Sequence, residues 1–125
     1  MLSQSKIVAF VATSKSESAK SFYEQTLGLR LIADDPFAIV FDANGITLRV
    51  QKVQAHTPPG YTVLGWDVAD IHSEIKELTE REVRFERYEG LEQDESGVWT
   101  SPSGAKVAWF KDPDGNVLSL TQFGE

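Results

Sequence analysis

Apolar and polar residues follow each other in a pattern that predicts a strand, a helix and three further strands in the first half of the chain. A β-branched run from Ile7 to Thr13 precedes Ser14-Lys15-Ser16-Glu17, which has the spacing of a capping box and predicts a helix beginning there. Gly28 stands where a left-handed C-terminal cap is expected. The buried stripe of this helix is expected to contain Ala19, Phe22, Tyr23 and Leu27.

Three short strands are predicted after this helix. They are Leu29–Ile32, Phe37–Phe41 and Ile46–Val53, the last two joined by the tight-turn sequence Asp42-Ala43-Asn44-Gly45. The first half therefore predicts a β-α-β-β-β module.

The second half repeats this order after a polar segment with two consecutive prolines, residues 54–60. Asp70 can cap a helix whose apolar face is Ile71, Ile75 and Leu78. The predicted strands of this half are Thr62–Val68, Val83–Tyr88, Ala105–Phe110 and Asn116–Thr121. We expect one module at about residues 5–53, a linker at 54–60 and a second module at about 61–123.

Each module is too small to bury its own sheet face, so we expect the two to pack as a pair. The predicted class is α+β, with two tandem βαβββ modules forming one curved sheet around a concave cavity and the helices outside. An insertion at about residues 89–104 interrupts the second module and contains Trp99. We expect it to form a long hairpin whose Trp99 closes over a ligand.

Charge and composition narrow the possible partners. The 125 residues carry a formal net charge of −7, which argues against binding to nucleic acid or to an anionic membrane. The absence of cysteine excludes disulfides and thiolate chemistry and suits a cytoplasmic protein. The sequence shows no leader peptide and no apolar run of membrane-spanning length, so a cytoplasmic location is expected.

Three motifs in the expected order resemble one family. Phe22-Tyr23 with Leu27-Gly28-Leu29, Val68-Ala69-Asp70-Ile71, and Asp112-Pro113-Asp114-Gly115-Asn116 are similar to signatures of the glyoxalase/bleomycin resistance protein/dioxygenase superfamily, also called vicinal oxygen chelate proteins. The resemblance covers nearly the whole chain and implies the same two-module fold.

The resemblance also implies where a metal would be held. Members that catalyse reactions bind one divalent ion through His and Glu side chains, at positions that correspond here to Val8, Arg49, Val63 and Ser119. None of these residues is a histidine or a carboxylate, and a guanidinium has no lone pair to donate. Shifting each position by one residue restores no donor, and His56 and His72 lie elsewhere. We therefore predict no metal, no other cofactor and no catalytic residue of the family type.

Strand alternation predicts which side chains face the cavity instead. With Leu48 and Val50 on the helix side, Arg49 and Gln51 face the cavity, and Asp67 does so in the second module. The full set of candidate ligand-binding residues is Arg49, Gln51, Asp67, Ser119, Thr121, Val8, Val63 and Trp99. Arg49 and Asp67 either orient a ligand or pair with each other, and both alternatives stay open. Trp66, Trp109 and Phe110 are expected in the core.

These expectations favour a protein that binds a small molecule, of the antibiotic-sequestration type. The resemblance implies a ligand groove at a homodimer interface. The alternative is a metal-dependent lyase, isomerase or dioxygenase of the same superfamily. A third possibility is a structural or regulatory dimer with an occluded cavity.

Overall fold

The computed structural model describes residues 1–124, which divide into two compact units, the first ending at Pro58 and the second beginning at Pro59. A short 3₁₀ turn, Leu2–Gln4, precedes the first unit's strands. The first unit contains β1 (Val8–Thr13), α1 (Ser16–Ser21), a π-helical turn (Phe22–Thr26), β2 (Arg30–Asp34), β3 (Ala38–Ala43) and β4 (Ile46–Lys52). The second unit contains β5 (Thr62–Asp67), α2 (Ile71–Glu80), β6 (Trp99–Thr100), β7 (Lys106–Lys111) and β8 (Val117–Gln122).

The α+β class with two tandem βαβββ modules is confirmed. Hydrogen bonds divide the strands into two four-stranded sheets, ordered β1-β4-β3-β2 and β5-β8-β7-β6, and not into the single sheet that was expected. In each sheet the first and last strands of the module pair in parallel, and the other pairs are antiparallel. Within residues 1–124, every helix falls short of the length and hydrophobicity that a bilayer-spanning helix requires.

The first unit buries one face of its sheet under the helical segment. Ile39, Phe41, Leu48 and Val50 are almost fully buried, and the Phe41 ring lies 5.9 Å from that of Tyr23. The helix begins at Ser16 with Lys15 as N-cap, one residue later than the capping box predicts, because the chain first turns through a hydrogen bond from the Lys15 amide to the Thr13 hydroxyl.

Two predicted turns of the first unit are confirmed. Gly28 has a φ of +78°, and the Leu29 amide donates to the Tyr23 carbonyl across the helix end. Asn44 and Gly45 both have positive φ, as a two-residue hairpin requires, and Asp42 accepts a hydrogen bond from the Gly45 amide.

Helix α2 covers one face of the second unit's sheet. Ala108, Phe110, Leu118 and Leu120 are buried together with Ile71, Ile75 and Leu78 of the helix. Asp70 caps α2 as predicted, since its carboxylate accepts a hydrogen bond from the Ser73 amide at 3.2 Å.

The predicted strand Val83–Tyr88 is wrong. Phe85 makes an isolated bridge to Phe110, and the Glu86 amide donates to the Trp109 carbonyl, but pairing then stops. The Tyr88 amide donates instead to the side chain of Gln93, so side chains satisfy the backbone where a strand partner was expected. The edge strand is β6, which lies inside the segment that was expected to be an insertion.

The Asp112–Asn116 motif forms a hydrogen-bonded turn before β8. One carboxylate oxygen of Asp112 accepts from the Asp114 and Asn116 amides, and the other accepts from the Asn116 side chain at 2.8 Å. Asp112 and Asn116 are both buried, so this motif positions the last strand.

Candidate functional site

The open face of the first sheet carries Val8, Arg49 and Gln51. Val8 pairs with Thr47, Phe10 with Arg49, and Ala12 with Gln51, so these residues share the face opposite Leu48 and Val50. Phe10 is 56% exposed and Val8 46% exposed, whereas Arg49 is half-buried. An apolar pair therefore flanks a cationic side chain on this face.

Arg49 forms no ion pair within residues 1–58. The nearby carboxylate of Asp35 is already engaged, since hydrogen bonds from the Phe37 and Ala38 amides lower its pKa and Arg49 adds only a smaller attraction. The N–H groups of the guanidinium are therefore available to donate hydrogen bonds to a group that lies outside residues 1–58.

The open face of the second sheet carries Asp67, Ser119 and Thr121. Across the sheet, Asp67 pairs with Thr121, Thr121 with Val107, and Val107 with Trp99, which places one residue from each strand in a row. Asp67 is exposed and forms no ion pair within residues 59–124. This row has a carboxylate at one end and an indole at the other.

A second row on the same face is made of Gly65, Ser119 and Trp109. Gly65 is exposed, and a Cβ placed on it would lie 2.6 Å from the Ser119 hydroxyl oxygen. Ser119 is buried at 7% exposure, so its side chain occupies the space that any residue larger than glycine would need. Side-chain size therefore decreases along this row, from the indole of Trp109 through the hydroxyl of Ser119 to Gly65, which has no side chain.

Val63 does not belong to either row. The register of β5 against β8 shifts between Thr62 and Leu64, which leaves Val63 without a pairing partner. Simple alternation from Leu64 therefore does not give the direction of its side chain, and its place among the ligand-binding residues stays a prediction.

Three aromatic side chains meet on the open face of the second sheet: Tyr88, Trp99 and Trp109. The Trp109 ring lies 6.3 Å from that of Trp99 and 5.5 Å from that of Tyr88, the latter edge to face. The expectation that Trp109 lies in the core is wrong, because it pairs with Ser119 while Phe110 pairs with buried Leu118. Two successive strand residues point to opposite faces, so alternation from Phe110 could have placed Trp109 correctly. Trp66 does stack on Phe110, at 6.4 Å.

Gln93 and Asp94 hold the loop that joins Tyr88 to Trp99. The Gln93 side chain donates to the carbonyls of Glu86 and Gly97, and Gln93 also bridges to Trp99. Asp94 accepts from the Ser96 and Val98 amides and, at 2.8 Å, pairs with His72 on α2. The loop is a hydrogen-bonded frame for the aromatic residues.

The pKa of two groups in this frame is displaced. Burial raises the pKa of Asp94, but hydrogen bonds from His72, Val98 and Ser96 outweigh burial and bring it below 3.8. Burial, and then the charge of Glu86, raise the pKa of Tyr88 above 10.0. Glu86 itself lies 3.7 Å from Lys111 of β7, and Arg87 donates to the backbone carbonyls of Gln93 and Asp94.

Comparison with known proteins decides the family. Residues 6–120 match the model of the Glyoxalase/Bleomycin resistance protein/Dioxygenase superfamily. The chain belongs to this superfamily. No curated protein matches the sequence.

Solved structures of the superfamily have the same fold. A member from Sphaerobacter thermophilus is 28% identical, with a TM-score of 0.71 over 93% of this chain and 96% of that one. A glyoxalase/bleomycin resistance protein/dioxygenase from Alicyclobacillus acidocaldarius is 17% identical, with a TM-score of 0.73 over 98% and 93% of the two chains. A lactoylglutathione lyase from Agrobacterium tumefaciens is 16% identical, with a TM-score of 0.74 over 94% and 93%.

The superfamily's metal does not fit the residues at its expected positions. Val8 is an exposed apolar residue, Arg49 is cationic, Val63 has no donor atom and Ser119 offers one buried hydroxyl. Across residues 1–124, no three His, Cys, Asp or Glu side chains are grouped closely enough to hold an ion. His72 pairs with Asp94, and His56 lies in the segment between the modules.

Proposed function

We propose that this superfamily member binds a small molecule directly through protein side chains, without a metal ion between ligand and protein. The observation that supports this proposal is the donor chemistry at the four expected metal positions, Val8, Arg49, Val63 and Ser119. The replacements do not leave the faces inert. They leave on one sheet a guanidinium that forms no ion pair within residues 1–58, and on the other an exposed carboxylate on the same face as three aromatic rings.

The ligand-binding residues in this proposal are those predicted from alternation, namely Arg49, Gln51, Asp67, Ser119, Thr121, Val8, Val63 and Trp99. Polar groups among apolar and aromatic side chains are typical of small-molecule sites, where a few polar contacts orient the ligand. We propose that the protein holds its ligand without transforming it, in the manner of antibiotic sequestration. We further propose that the protein is a homodimer, as the resemblance implies, and that it is cytoplasmic, which its lack of cysteine suits.

A thermal-shift screen of a small-molecule library tests this function. A ligand that binds only the folded protein raises the melting temperature by mass action, and measurement at two protein concentrations reports any linked dimerisation. Arg49→Ala should reduce the shift, whereas Arg81→Ala, which removes an exposed arginine from α2, should not. Mass spectrometry of the released ligand should find it unchanged.

The metal content of protein purified without chelator distinguishes direct ligand binding from the metal-dependent alternative. Stoichiometric Fe, Mn, Ni or Zn bound through Glu or His side chains would refute direct binding. It would restore the metal-dependent lyase, isomerase or dioxygenase as the better interpretation.

A further inference from the structure

The arrangement of charge and aromatic rings on the second sheet defines the kind of ligand that its open face accepts. Trp109 carries Trp99 on one side and Tyr88 on the other, and Tyr88 is 37% exposed. Aromatic rings that remain accessible after packing against each other offer stacking surfaces to a planar ligand. The three rings are held in place by the hydrogen-bonded Gln93 and Asp94 loop, so little ordering is needed on binding.

The space beside Trp109 is bounded by small residues. Across the sheet from Trp109 stand Ser119 and then Gly65, so no bulky side chain rises between the indole and the edge strand β5. Gly65 is exposed. Two strand spacings separate β7 from β5, about 10 Å, which is sufficient for a fused two-ring compound.

An exposed carboxylate, Asp67, borders this space. Asp67 lies on β5 two residues beyond Gly65 on the same face, about 12 Å from Trp109 when the offset along the strand is included. It forms no ion pair within residues 59–124, and Lys111, two residues beyond Trp109 on β7, is paired with Glu86. The whole chain carries a net charge of −7. A cation gains both from the carboxylate and from the faces of tryptophan rings.

We infer that the open face of the second sheet is a binding site for planar aromatic cations, stacked beside Trp109 over Gly65 and Ser119 with the positive charge toward Asp67. The inference rests on the proposed small-molecule function and narrows it to one ligand class. It assigns Trp109 and Tyr88 to ligand contact in addition to the residues proposed above.

Calorimetric titration with a matched set of probes tests the ligand class. N-methylquinolinium is a planar cation, quinoline is its neutral counterpart at pH 7.5, 2-naphthoate is a planar anion and tetramethylammonium is a cation without a ring. N-methylquinolinium should bind about tenfold more tightly than quinoline, and the other two should bind more weakly still. Added salt should weaken binding of N-methylquinolinium and leave quinoline unaffected.

Variants locate the site. Trp109→Leu should weaken N-methylquinolinium binding about tenfold and Asp67→Asn about threefold. The matched controls are Phe37→Leu, which removes an exposed ring from the first unit, and Glu80→Gln, which removes an exposed charge at the end of α2. Neither should change the affinity. If Trp109→Leu does not fold, Asp67→Asn and Trp99→Leu decide the question, because both residues are at least partly exposed.

The outcomes separate this inference from the proposed function. Equal binding of quinoline and its cation, tighter binding of 2-naphthoate, or affinity unchanged in both Asp67→Asn and a tryptophan variant would overturn the inference. If no planar probe binds but the library screen finds a ligand that depends on Arg49, the inference fails and the proposed function stands. If the library also yields nothing, both fail.

Discussion

Replacement of Gly65 by alanine tests the close approach between β5 and β8 on which the proposed site depends. The added methyl group would stand 2.6 Å from the Ser119 hydroxyl oxygen and 3.4 Å from the Ser119 carbonyl oxygen. Ser119 is only 7% exposed, so its side chain has little room to move away. The variant must therefore displace a buried group or shift one strand against the other.

The expected magnitude follows from two opposing terms. Overpacking of this kind costs about 1–3 kcal/mol. Alanine in place of a strand glycine recovers about 0.5–1 kcal/mol, since the unfolded chain loses less freedom, and Gly65 does not have a positive φ. We expect Gly65→Ala to lower the free energy of unfolding by about 1–2 kcal/mol.

Removal of the Ser119 hydroxyl should reverse the sign of the stability change that Gly65→Ala causes. In the Ser119→Ala background the nearest side-chain atom to the new methyl group is the Cβ, 3.9 Å away, which is ordinary contact. There Gly65→Ala should stabilise by about 0.5–1 kcal/mol, which gives a coupling energy of about 2 kcal/mol between the two positions.

Urea denaturation of wild type, both single variants and the double variant, followed by circular dichroism, measures this coupling. Gly60→Ala is the control, because a methyl group at Gly60 meets nothing within 4 Å. Additive effects at Gly65 and Ser119, within about 0.5 kcal/mol, would refute the pairing of these residues and with it the open space beside Trp109.

Three further predictions concern the frame around the site. Asp112→Ala should lower the free energy of unfolding, measured by urea denaturation, by about 3 kcal/mol. The variant removes the carboxylate that accepts hydrogen bonds from the Asp114 amide, the Asn116 amide and the Asn116 side chain, and Asp112→Asn should cost less. The pKa of Asp94 lies below 3.8 in the folded chain, so the contribution of this carboxylate to stability is present above pH 3.8 and is lost as the pH falls through the folded pKa. Asp94→Asn should therefore flatten the acid limb of a plot of unfolding free energy against pH. An unchanged acid limb would contradict the ion pair between Asp94 and His72. Absorbance titration near 295 nm should find the pKa of Tyr88 above 10.0 by comparison with Tyr88→Phe, and Glu86→Gln should lower it only in part, since burial is the larger cause.

The fold could be predicted from short-range signals that the structure retains. The Asn44-Gly45 turn, the Gly28 cap and the Asp70 cap each depend on the backbone conformation of a few neighbouring residues. Such features are visible in sequence because no distant partner is needed to form them. The predicted helix face of Ile71, Ile75 and Leu78 was confirmed for the same reason.

The errors occurred where a side chain binds a backbone group that the predicted element would have used. Val83–Tyr88 has the composition of a strand, but the chain ceases to pair after Glu86 because Gln93 captures the Tyr88 amide. That competition involves a side chain five residues ahead, and strand propensity does not register it. The helix start moved to Ser16 for a similar reason, through the bond between Thr13 and Lys15.

The candidate site shows the same division. Alternation placed Arg49, Gln51 and Asp67 on the open faces, whereas the register shift at Val63 and the true edge strand at Trp99 required the structure. Trp109 has the hydrophobicity of a core residue, but strand alternation from Phe110 places it on the open face. A run of Trp109 and Phe110 supplies only one residue to the core, and the bridge from Phe110 to Phe85 determines which one.

The loss of the metal ligand and the gain of a binding surface involve the same position. At Ser119, where the superfamily's metal-binding members are expected to carry a carboxylate, this chain has a short hydroxyl side chain that is packed against Gly65 and lies beside Trp109. A glutamate at this position would extend over Gly65 and fill the space that a planar ligand needs. Ser119→Glu should therefore abolish N-methylquinolinium binding by occupying that space, even though it adds a negative charge that would otherwise attract a cation. Tighter binding in Ser119→Glu would show that charge alone, and not the space beside Trp109, governs recognition on this face.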